Sequence, residues 1–351
     1  MRQSSRAVGK KGRAMRIGTV GSGTVVENFI EAARTVPGVD ITAVYSRTPE
    51  RAEAFALEQG VAQTFTSREE FLAGDFDFAY IANPNSLHYE WVKEALHAGK
   101  NVIGEKPMAS NLAEAQELAE LAKEKGLFLF EAMSTPHLPN VALVKELLPE
   151  IGKIRFAQAS FCQFSSRYLQ FLGRGTDPAP NVFNRDFSGG AMMDLACYNI
   201  AFLTEVFGAP GGLAYYANLA DNGIDTSGVL VLAYDGFHAT SLAAKDSASK
   251  NFSQIQGERG YMYIGGQSSR FHGGVTLVRN GSDTEEYFNP QGDSDPHFYK
   301  IAEFKRIYDE RDFDGRDKFL EKTLTVMRIL DAARECAGIV FPADVHREST
   351  G

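Results

Sequence analysis

The chain has 351 residues, of which 44% are hydrophobic, and its formal charge is -9. That length and composition allow a large buried core and suggest two domains. The negative charge argues against nucleic acid or an anionic membrane surface as a main partner, and no segment reaches the ~18 consecutive apolar residues that a membrane span needs.

Residues 1–14 differ from the rest because they contain five basic residues and no acidic one. They lack the apolar segment or amphipathic helix of a targeting peptide, so we interpret them as a disordered basic extension before a natural start at Met15. The three cysteines are far apart and odd in number, which predicts reduced thiols in a cytoplasmic protein. Cysteines and histidines show no metal-ligand spacing, and we predict no metal.

Strands alternate with helix-like segments of about ten or more residues over residues 15–134. This alternation predicts βαβ units, and therefore an α/β domain with a doubly wound parallel sheet that is covered on both faces. The expected strands are 15–20, 39–45, 76–82, 101–103 and 127–131, and the expected helices are 25–36, 49–59, 88–98 and 112–125.

Two glycines, Gly21 and Gly23, lie between the first strand and the first helix. They allow the turn and the close approach of a pyrophosphate, whose charge then sits at the helix N-terminus with Thr24 and Val25. The usual third glycine is Val26, which should hold the helix slightly further from the strand. We predict that this turn belongs to a dinucleotide site.

The second strand ends without the acidic residue that would bind the ribose hydroxyls of NAD. Ser46 and Arg47 stand there instead, with Arg51 one turn into the next helix, and these side chains can bind a 2′-phosphate. The alternative is that Arg47 is an ordinary surface residue before Pro49. The pattern favours NADP over NAD as the preferred cofactor.

A polar loop, Asn83-Pro84-Asn85-Ser86-Leu87-His88, follows the third strand. Because it leaves the sheet beside Gly21, its backbone should also contact the cofactor. The alternatives are that Asn85 or Ser86 caps the next helix and that His88 is structural.

Glu105, Lys106 and Pro107 close the next apolar strand. Side chains at the carboxyl end of a parallel strand face the crevice where α/β proteins bind ligands, so Lys106 is placed to do chemistry. In isolation the segment reads more simply as a solvated turn.

Short strands separated by turn residues follow from about residue 135, and they predict an α+β domain over 135–351 with a large, mostly antiparallel, open-faced sheet. The last predicted helix, 313–338, is a candidate to pack back on the first domain, and the loop 168–187 is expected to cover the substrate pocket. Pairing of the uncovered sheet faces predicts a homodimer or homotetramer. The expected strands are 154–161, 213–219, 228–234, 237–243, 252–257, 261–264, 275–278 and 285–289.

Asp194 and Tyr198 are four residues apart on a predicted helix, 190–207, and therefore share a face. They could simply mark a helix start with a buried tyrosine. Together with Lys106 they form a plausible catalytic set, since a phenol near an ammonium group has a lowered pKa and can exchange a proton with a substrate hydroxyl.

The order of these segments resembles the Gfo/Idh/MocA family, which includes glucose-fructose oxidoreductase and inositol dehydrogenase. The resemblance runs from about Met15 to Ala343, and its specific parts are Glu-Lys-Pro at 105–107 and Asp-x-x-x-Tyr at 194–198. It implies a Rossmann domain, an open-faced α+β domain and a nicotinamide ring over their junction. It also implies that Lys106 binds the reacting oxygen, Tyr198 transfers the proton and Asp194 orients or tunes the pair.

Two departures from the family pattern leave the shape of the substrate open, because Ala196 replaces a common glycine and Asn83 a common threonine. Many members have His where Tyr198 stands, so the chain resembles the branch of glucose-fructose oxidoreductase and dihydrodiol dehydrogenase. The substitutions at Ala196 and Asn83 remove no proton-transfer group.

The sequence therefore predicts an NAD(P)-dependent oxidoreductase that moves hydride to or from a secondary alcohol, hemiacetal or carbonyl carbon. Its small-molecule substrate would be a sugar, a polyol or a related molecule such as a dihydrodiol. The alternative is a catalytically silent sensor that binds nicotinamide or a sugar. The presence of Lys106, Asp194 and Tyr198 favours the enzyme, and no cysteine nucleophile or arginine pair supports an enzyme of amino-acid metabolism.

Overall fold

The computed structural model describes residues 14–174 and 179–345. The predicted basic extension, apart from its last residue, lies outside this range. None of the described helices is long and apolar enough to cross a membrane. Within the same range, no group of three His, Cys, Asp or Glu side chains could hold a metal ion. All three cysteines are free.

The first sheet has six parallel strands in the order β3-β2-β1-β4-β5-β6. The order reverses between β1 and β4, and the crevice outside the carboxyl ends of those strands is where such sheets bind ligands. The strands are β1 Met15–Val20, β2 Val39–Tyr45, β3 Gln63–Phe65, β4 Phe78–Ile81, β5 Asn101–Gly104 and β6 Leu129–Glu131. The helices are α1 Thr24–Arg34, α2 Pro49–Gln59, α3 Arg68–Ala73, α4 His88–His97 and α5 Leu112–Glu124.

The second sheet has eight strands in the order β14-β13-β12-β11-β7-β10-β9-β8, and its one parallel pair is β7 with β10. The strands are β7 Ile154–Cys162, β8 Gly212–Leu219, β9 Asp225–Tyr234, β10 Phe237–Ala244, β11 Phe252–Gly257, β12 Gly260–Gly265, β13 Val275–Arg279 and β14 Glu285–Phe288. The helices are α6 Pro139–Leu147, α7 Tyr168–Arg174, α8 Cys197–Phe207, α9 Pro296–Glu310, α10 Phe313–Cys336 and α11 Pro342–Val345. The two sheets confirm the predicted fold class.

Helix α9 was not predicted from the sequence, although its signals are present. Asp295 accepts a hydrogen bond from the backbone of His297, Pro296 occupies the first turn, and the helix ends at Arg311 in the left-handed conformation. Its buried face includes Ile301 and Phe304. The strand β3 and the helices α3, α6, α7 and α11 were also missed, and α7 lies within the segment 168–187 that was predicted as a loop. β3 has three residues and α3 six, so neither shows a full hydrophobic period.

The C-terminal helices lie against the first sheet. Phe304 of α9 stacks on Phe130 of β6 with ring centroids 4.5 Å apart. From α10, Thr323 donates to the buried carboxyl of Glu131 at 3.0 Å and Arg316 donates to the Leu127 carbonyl at 2.8 Å. This packing brings the start of α9 next to the carboxyl ends of β5 and β6. The boundary at residue 134 between two domains stays a prediction.

Candidate active site

The turn between β1 and α1 has the shape of a phosphate site. Gly21 has φ +113°, and a Cβ there would lie 3.1 Å from the Ala82 carbonyl oxygen. Gly23 precedes α1 without a side-chain cap, and a Cβ at this position would meet nothing within 4 Å. The space in front of the N-terminus of α1 is therefore open at Gly23, and the N–H groups of Thr24 and Val25 can donate hydrogen bonds to an anion there.

A cleft of about 570 Å³ continues from this turn past the end of β2. Three arginines border it, namely Arg47, Arg51 and Arg68, and the described residues of its lining include no carboxylate. Ser46 is buried, and Arg51 donates to the Ser22 hydroxyl at 2.9 Å. The lining has the charge that a 2′-phosphate requires.

The loop after β4 faces both this cleft and the second domain. Both side-chain polar atoms of Asn83 are buried without a partner among the described residues, which suits a polar ligand in the cleft that Asn83 and Pro84 border. Asn85 donates to the Ser188 carbonyl at 3.0 Å and caps no helix, so the predicted cap is wrong there.

His88 is buried, and its ring nitrogens lie 2.9 Å from the carbonyl oxygens of Pro107 and Asn83. It therefore connects the loop after β4 with the segment after β5. These contacts leave neither nitrogen for a ligand and favour the structural alternative over the predicted cofactor contact.

Glu105 is not part of a solvated turn. Its carboxylate is buried and accepts hydrogen bonds from the Tyr80 hydroxyl at 2.7 Å and from the Lys106 amide at 3.2 Å. The buried ammonium group of Lys300 lies 3.9 Å from the same carboxylate. Glu105 therefore connects the end of β5 with Tyr80 of β4 through a hydrogen bond. A cis peptide bond links Lys106 to Pro107.

The ammonium group of Lys106 reaches across to the second domain. It donates to Asp194 twice, to Oδ1 at 2.8 Å and to the backbone oxygen at 2.9 Å. It also lies 4.8 Å from the ring centroid of Tyr198. Since an ammonium group has three N–H bonds, one of them has no hydrogen-bond partner among the described residues. The structure thus brings the three predicted catalytic side chains together.

The segment that holds Asp194 is not regular α-helix, as the sequence predicted, but a wider π-type turn at Met192–Ala196 that leads into α8. Gly190 allows this turn, because its φ is +112° and a Cβ there would lie 2.1 Å from Oδ1 of Asp225. The same carboxyl group accepts a hydrogen bond from the Met192 amide at 2.7 Å. Single π-type turns often occur at functional sites.

The charges of the three side chains are strongly coupled. Removal from water alone would raise the pKa of Asp194, but the ammonium groups of Lys106 and Lys245 hold it well below its usual range. Removal from water is the largest single effect on Lys106 and would lower its pKa, but Asp194 together with smaller contributions from Tyr198 and Cys197 raises that pKa well above its usual value. Both groups therefore stay charged at neutral pH.

The predicted lowering of the pKa of Tyr198 is wrong in its net direction. Removal from water raises the pKa of the phenol, and Lys106 lowers it by less. Burial of the phenol is the main cause of this rise in pKa, and the nearby carboxylates of Glu105 and Asp194 add to it. The phenol of Tyr198 is therefore protonated at neutral pH.

Several residues of the site were not predicted from the sequence. A cleft of about 260 Å³ in front of Lys106 and Tyr198 is also lined by Gln163, Arg270, His297 and Lys300. Lys245 directly follows β10 and forms an ion pair with Asp194. A lysine at the end of a strand was the available signal, but Asp-Ser-Ala-Ser after it resembles a surface turn. Within the predicted covering loop, Asn181 and Phe187 border the cleft of about 570 Å³ beside Arg47.

Comparison with known proteins agrees with these features. Residues 15–133 match the family model of the oxidoreductase family with an NAD-binding Rossmann fold, and residues 141–263 match the GFO/IDH/MocA C-terminal domain. The scyllo-inositol 2-dehydrogenase (NADP(+)) IolU of Bacillus subtilis is 36% identical over 94% of this chain and 99% of its own length. The trans-1,2-dihydrobenzene-1,2-diol dehydrogenase of Mus musculus is 29% identical over 94% of this chain and 99% of its own length.

Among solved structures, the 3-ketoreductase KijD10 from Actinomadura kijaniata, in complex with NADP and TDP-benzene, has a TM-score of 0.78 and 25% identity. The superposition covers 92% of this chain and 98% of that one. The family models together cover more than half of the chain. The first model includes the whole of the first sheet, and the second model includes β7 to β11 of the second sheet. The chain belongs to the Gfo/Idh/MocA family of oxidoreductases.

Proposed function

We propose that this protein oxidises one secondary hydroxyl group of a cyclic polyol or sugar with NADP, and that Lys106, Asp194 and Tyr198 handle the proton. The chain is an NAD(P)-dependent oxidoreductase of CH–OH groups, as its family and its relatives agree. The substrate and the residue roles are the proposed part. They rest on one observation: the ammonium group of Lys106 is fixed on Asp194 beside Tyr198, and one of its N–H bonds has no hydrogen-bond partner among the described residues.

Each side chain has a distinct role in this proposal. Lys106 donates its third N–H to the substrate oxygen and stabilises the alkoxide that develops there, a contribution of about 3 kcal/mol by analogy with single oxyanion donors. Tyr198 exchanges the proton with that oxygen. Asp194 holds Lys106 in place. When bound, the nicotinamide ring accepts or supplies the hydride.

The residues around Lys106 fit a hydroxylated substrate. Side chains that both donate and accept hydrogen bonds, such as Gln163, Gln267 and Ser134, line this cleft. The aromatic rings of Phe161 and Tyr198 line it as well. A ring with several hydroxyl groups can satisfy such a lining. The relatives named for scyllo-inositol and for a dihydrodiol support the same class of substrate.

A substrate screen tests this proposal. The protein would be incubated with NADP and, separately, with inositols, monosaccharides and trans-dihydrodiols, while the absorbance of the reduced cofactor is followed. We expect turnover with at least one cyclic polyol. Turnover confined to acyclic alcohols would contradict the proposed substrate class, although the activity class would stand.

The cofactor cleft predicts a preference for NADP over NAD. Arg47 makes no hydrogen bond or ion pair with the described residues and borders the cleft beside Ser46. A charge-assisted hydrogen bond to a 2′-phosphate contributes about 1.5–3 kcal/mol, which amounts to about tenfold or more in affinity. Arg47→Ala should therefore weaken NADP at least about tenfold and leave NAD nearly unchanged. Dissociation constants by fluorescence titration check this, and equal losses for both cofactors would contradict it.

The outer face of the second sheet supports a homo-oligomer, which stays a prediction. A cross-strand row runs from Tyr287 to Val231 over seven strands without a charged residue. Its other members are Thr276, Tyr263, Gln254, Gln158 and Thr240. An uncharged surface of this extent is typical of the centre of an interface between identical subunits.

We expect a dimer or a larger assembly by light scattering at micromolar concentration. Tyr263 is 37% exposed and Leu242, on the same face, is 40% exposed, so the double variant Tyr263→Glu/Leu242→Glu places charge in this face and should give monomers. A monomeric parent protein would contradict the prediction. A cytoplasmic location also stays a prediction, supported by the three free cysteines.

A further inference from the structure

The carboxylate of Asp194 binds two lysines. Oδ1 accepts a hydrogen bond from Lys106 at 2.8 Å, and Oδ2 accepts one from Lys245. The Lys245 side chain is 7% exposed, and the structure fixes its backbone on both sides. Its amide donates to the Thr226 carbonyl at 2.8 Å, and its own carbonyl accepts from the Ser165 amide at 2.9 Å.

The other carboxylates near Lys245 are occupied by uncharged donors. Asp225 accepts hydrogen bonds from the Tyr215 hydroxyl and the Met192 amide, and Asp246 accepts them from the hydroxyls of Thr226 and Ser227. Among the described residues, the ion pair of Lys245 is therefore with Asp194. The ring of Phe183, with its centroid 5.9 Å away, covers the ammonium group on another side.

Lys245 does not line the cleft in front of Lys106, as far as the described residues show, whereas Lys106, Asp194 and Tyr198 do. It is therefore placed to act through a neighbour that lines the cleft and not by contact with the substrate. Asp194 is that neighbour, because one carboxylate connects the two ammonium groups.

Lys245 changes the net charge of the cluster that it forms with Asp194 and Lys106. Lys106 and Asp194 alone would form a neutral ion pair, whose field on a developing alkoxide is weak. With Lys245 the cluster has two positive charges and one negative charge, so a net positive charge remains in the cluster whose Lys106 lines the cleft. Charges fixed before the reaction stabilise an oxyanion without reorganisation.

We propose that Lys245 is a positioning residue that neutralises Asp194, so that the charge of Lys106 acts on the reacting oxygen. This inference rests on the proposed function. It predicts that Lys245→Met lowers kcat about tenfold or more while KM changes less than about threefold, since the lost interaction acts mainly in the transition state. Lys245→Arg keeps the charge and should restore most of kcat.

The pH profile separates this role from a merely structural one. Without Lys245 more of the negative charge of Asp194 acts on Tyr198, which raises the pKa of the phenol. The rise of the oxidation rate with pH should therefore move to higher pH in Lys245→Met. The matched control is Lys250→Met, an exposed lysine on the same loop, which should behave as the parent.

A double-mutant cycle with Asp194→Asn provides the decisive comparison, with melting temperatures measured for every variant. If Lys245 acts through Asp194, Lys245→Met should change kcat less than about twofold in the Asp194→Asn background. An equal loss in both backgrounds would overturn the inference, as would Lys245→Met with the kcat and pH profile of the parent. If the parent turned over no polyol or sugar, the proposed function and this inference would fall together.

Discussion

Lys106→Ala should lower kcat/KM by about two orders of magnitude or more, and it should leave the affinity for NADP nearly intact. The ammonium group is the donor closest to the reacting oxygen in this account, and it lies outside the cleft that Arg47 and Arg51 border. The loss should appear mainly in kcat, because the interaction strengthens as negative charge develops on the oxygen.

Two further variants make the result for Lys106 interpretable. Lys106→Met keeps most of the side-chain volume beside Tyr198, so it separates loss of charge from loss of packing. Lys123→Ala removes an exposed lysine from α5 and should have the activity of the parent. Steady-state kinetics and cofactor titration of the three variants check the prediction. Turnover of Lys106→Ala equal to that of the parent would refute its catalytic role.

Tyr198→Phe should reduce kcat about 10²-fold or more, the usual range for loss of a general acid or base. The ring and its contact with Lys106 remain, so the melting temperature should change little. Because the pKa of the phenol is raised, the phenol is protonated at neutral pH, and its deprotonated form becomes more abundant as pH rises through the alkaline range. Oxidation by the parent should therefore accelerate toward alkaline pH, and reduction should slow.

In Tyr198→Phe the rates of oxidation and reduction should lose this dependence on pH. Tyr216→Phe is the matched control, since it removes a hydroxyl from a side chain that is 70% exposed on the second sheet. Rates measured across pH in both directions check the prediction. An unchanged profile with an unchanged kcat would show that another group moves the proton.

The sequence was sufficient for the parts of the site that depend on local pattern. Gly21 and Gly23 stand between a strand and a helix, and Lys106 ends a buried strand, so their places followed from the order of elements. Asp194 and Tyr198 share a helical face at i and i+4 spacing, and the π-type turn did not separate them. The segments 105–107 and 194–198 are far apart in the chain, and only the resemblance to a known family predicted that they lie together in one site.

The remaining parts depend on contacts between segments far apart in the chain. Lys245 reaches Asp194 because β10 packs against the π-type turn at Met192–Ala196. Lys300 enters the site because α9 returns to the end of β6, where its ammonium group donates to the Ala132 carbonyl at 2.7 Å. The pKa of Tyr198 depends on a balance between removal from water and the Lys106 charge, and only the placement of the ring decides it.

The central claim is that this chain catalyses hydride transfer and does not merely bind a nicotinamide cofactor or a sugar. The most direct test compares the parent with Lys106→Met/Tyr198→Phe in the presence of NADP and cyclic polyols such as scyllo-inositol. Both proteins should bind NADP with similar dissociation constants, but only the parent should form the reduced cofactor. NADP binding by the parent without reduction on any sugar, polyol or dihydrodiol would contradict the account and favour a sensor.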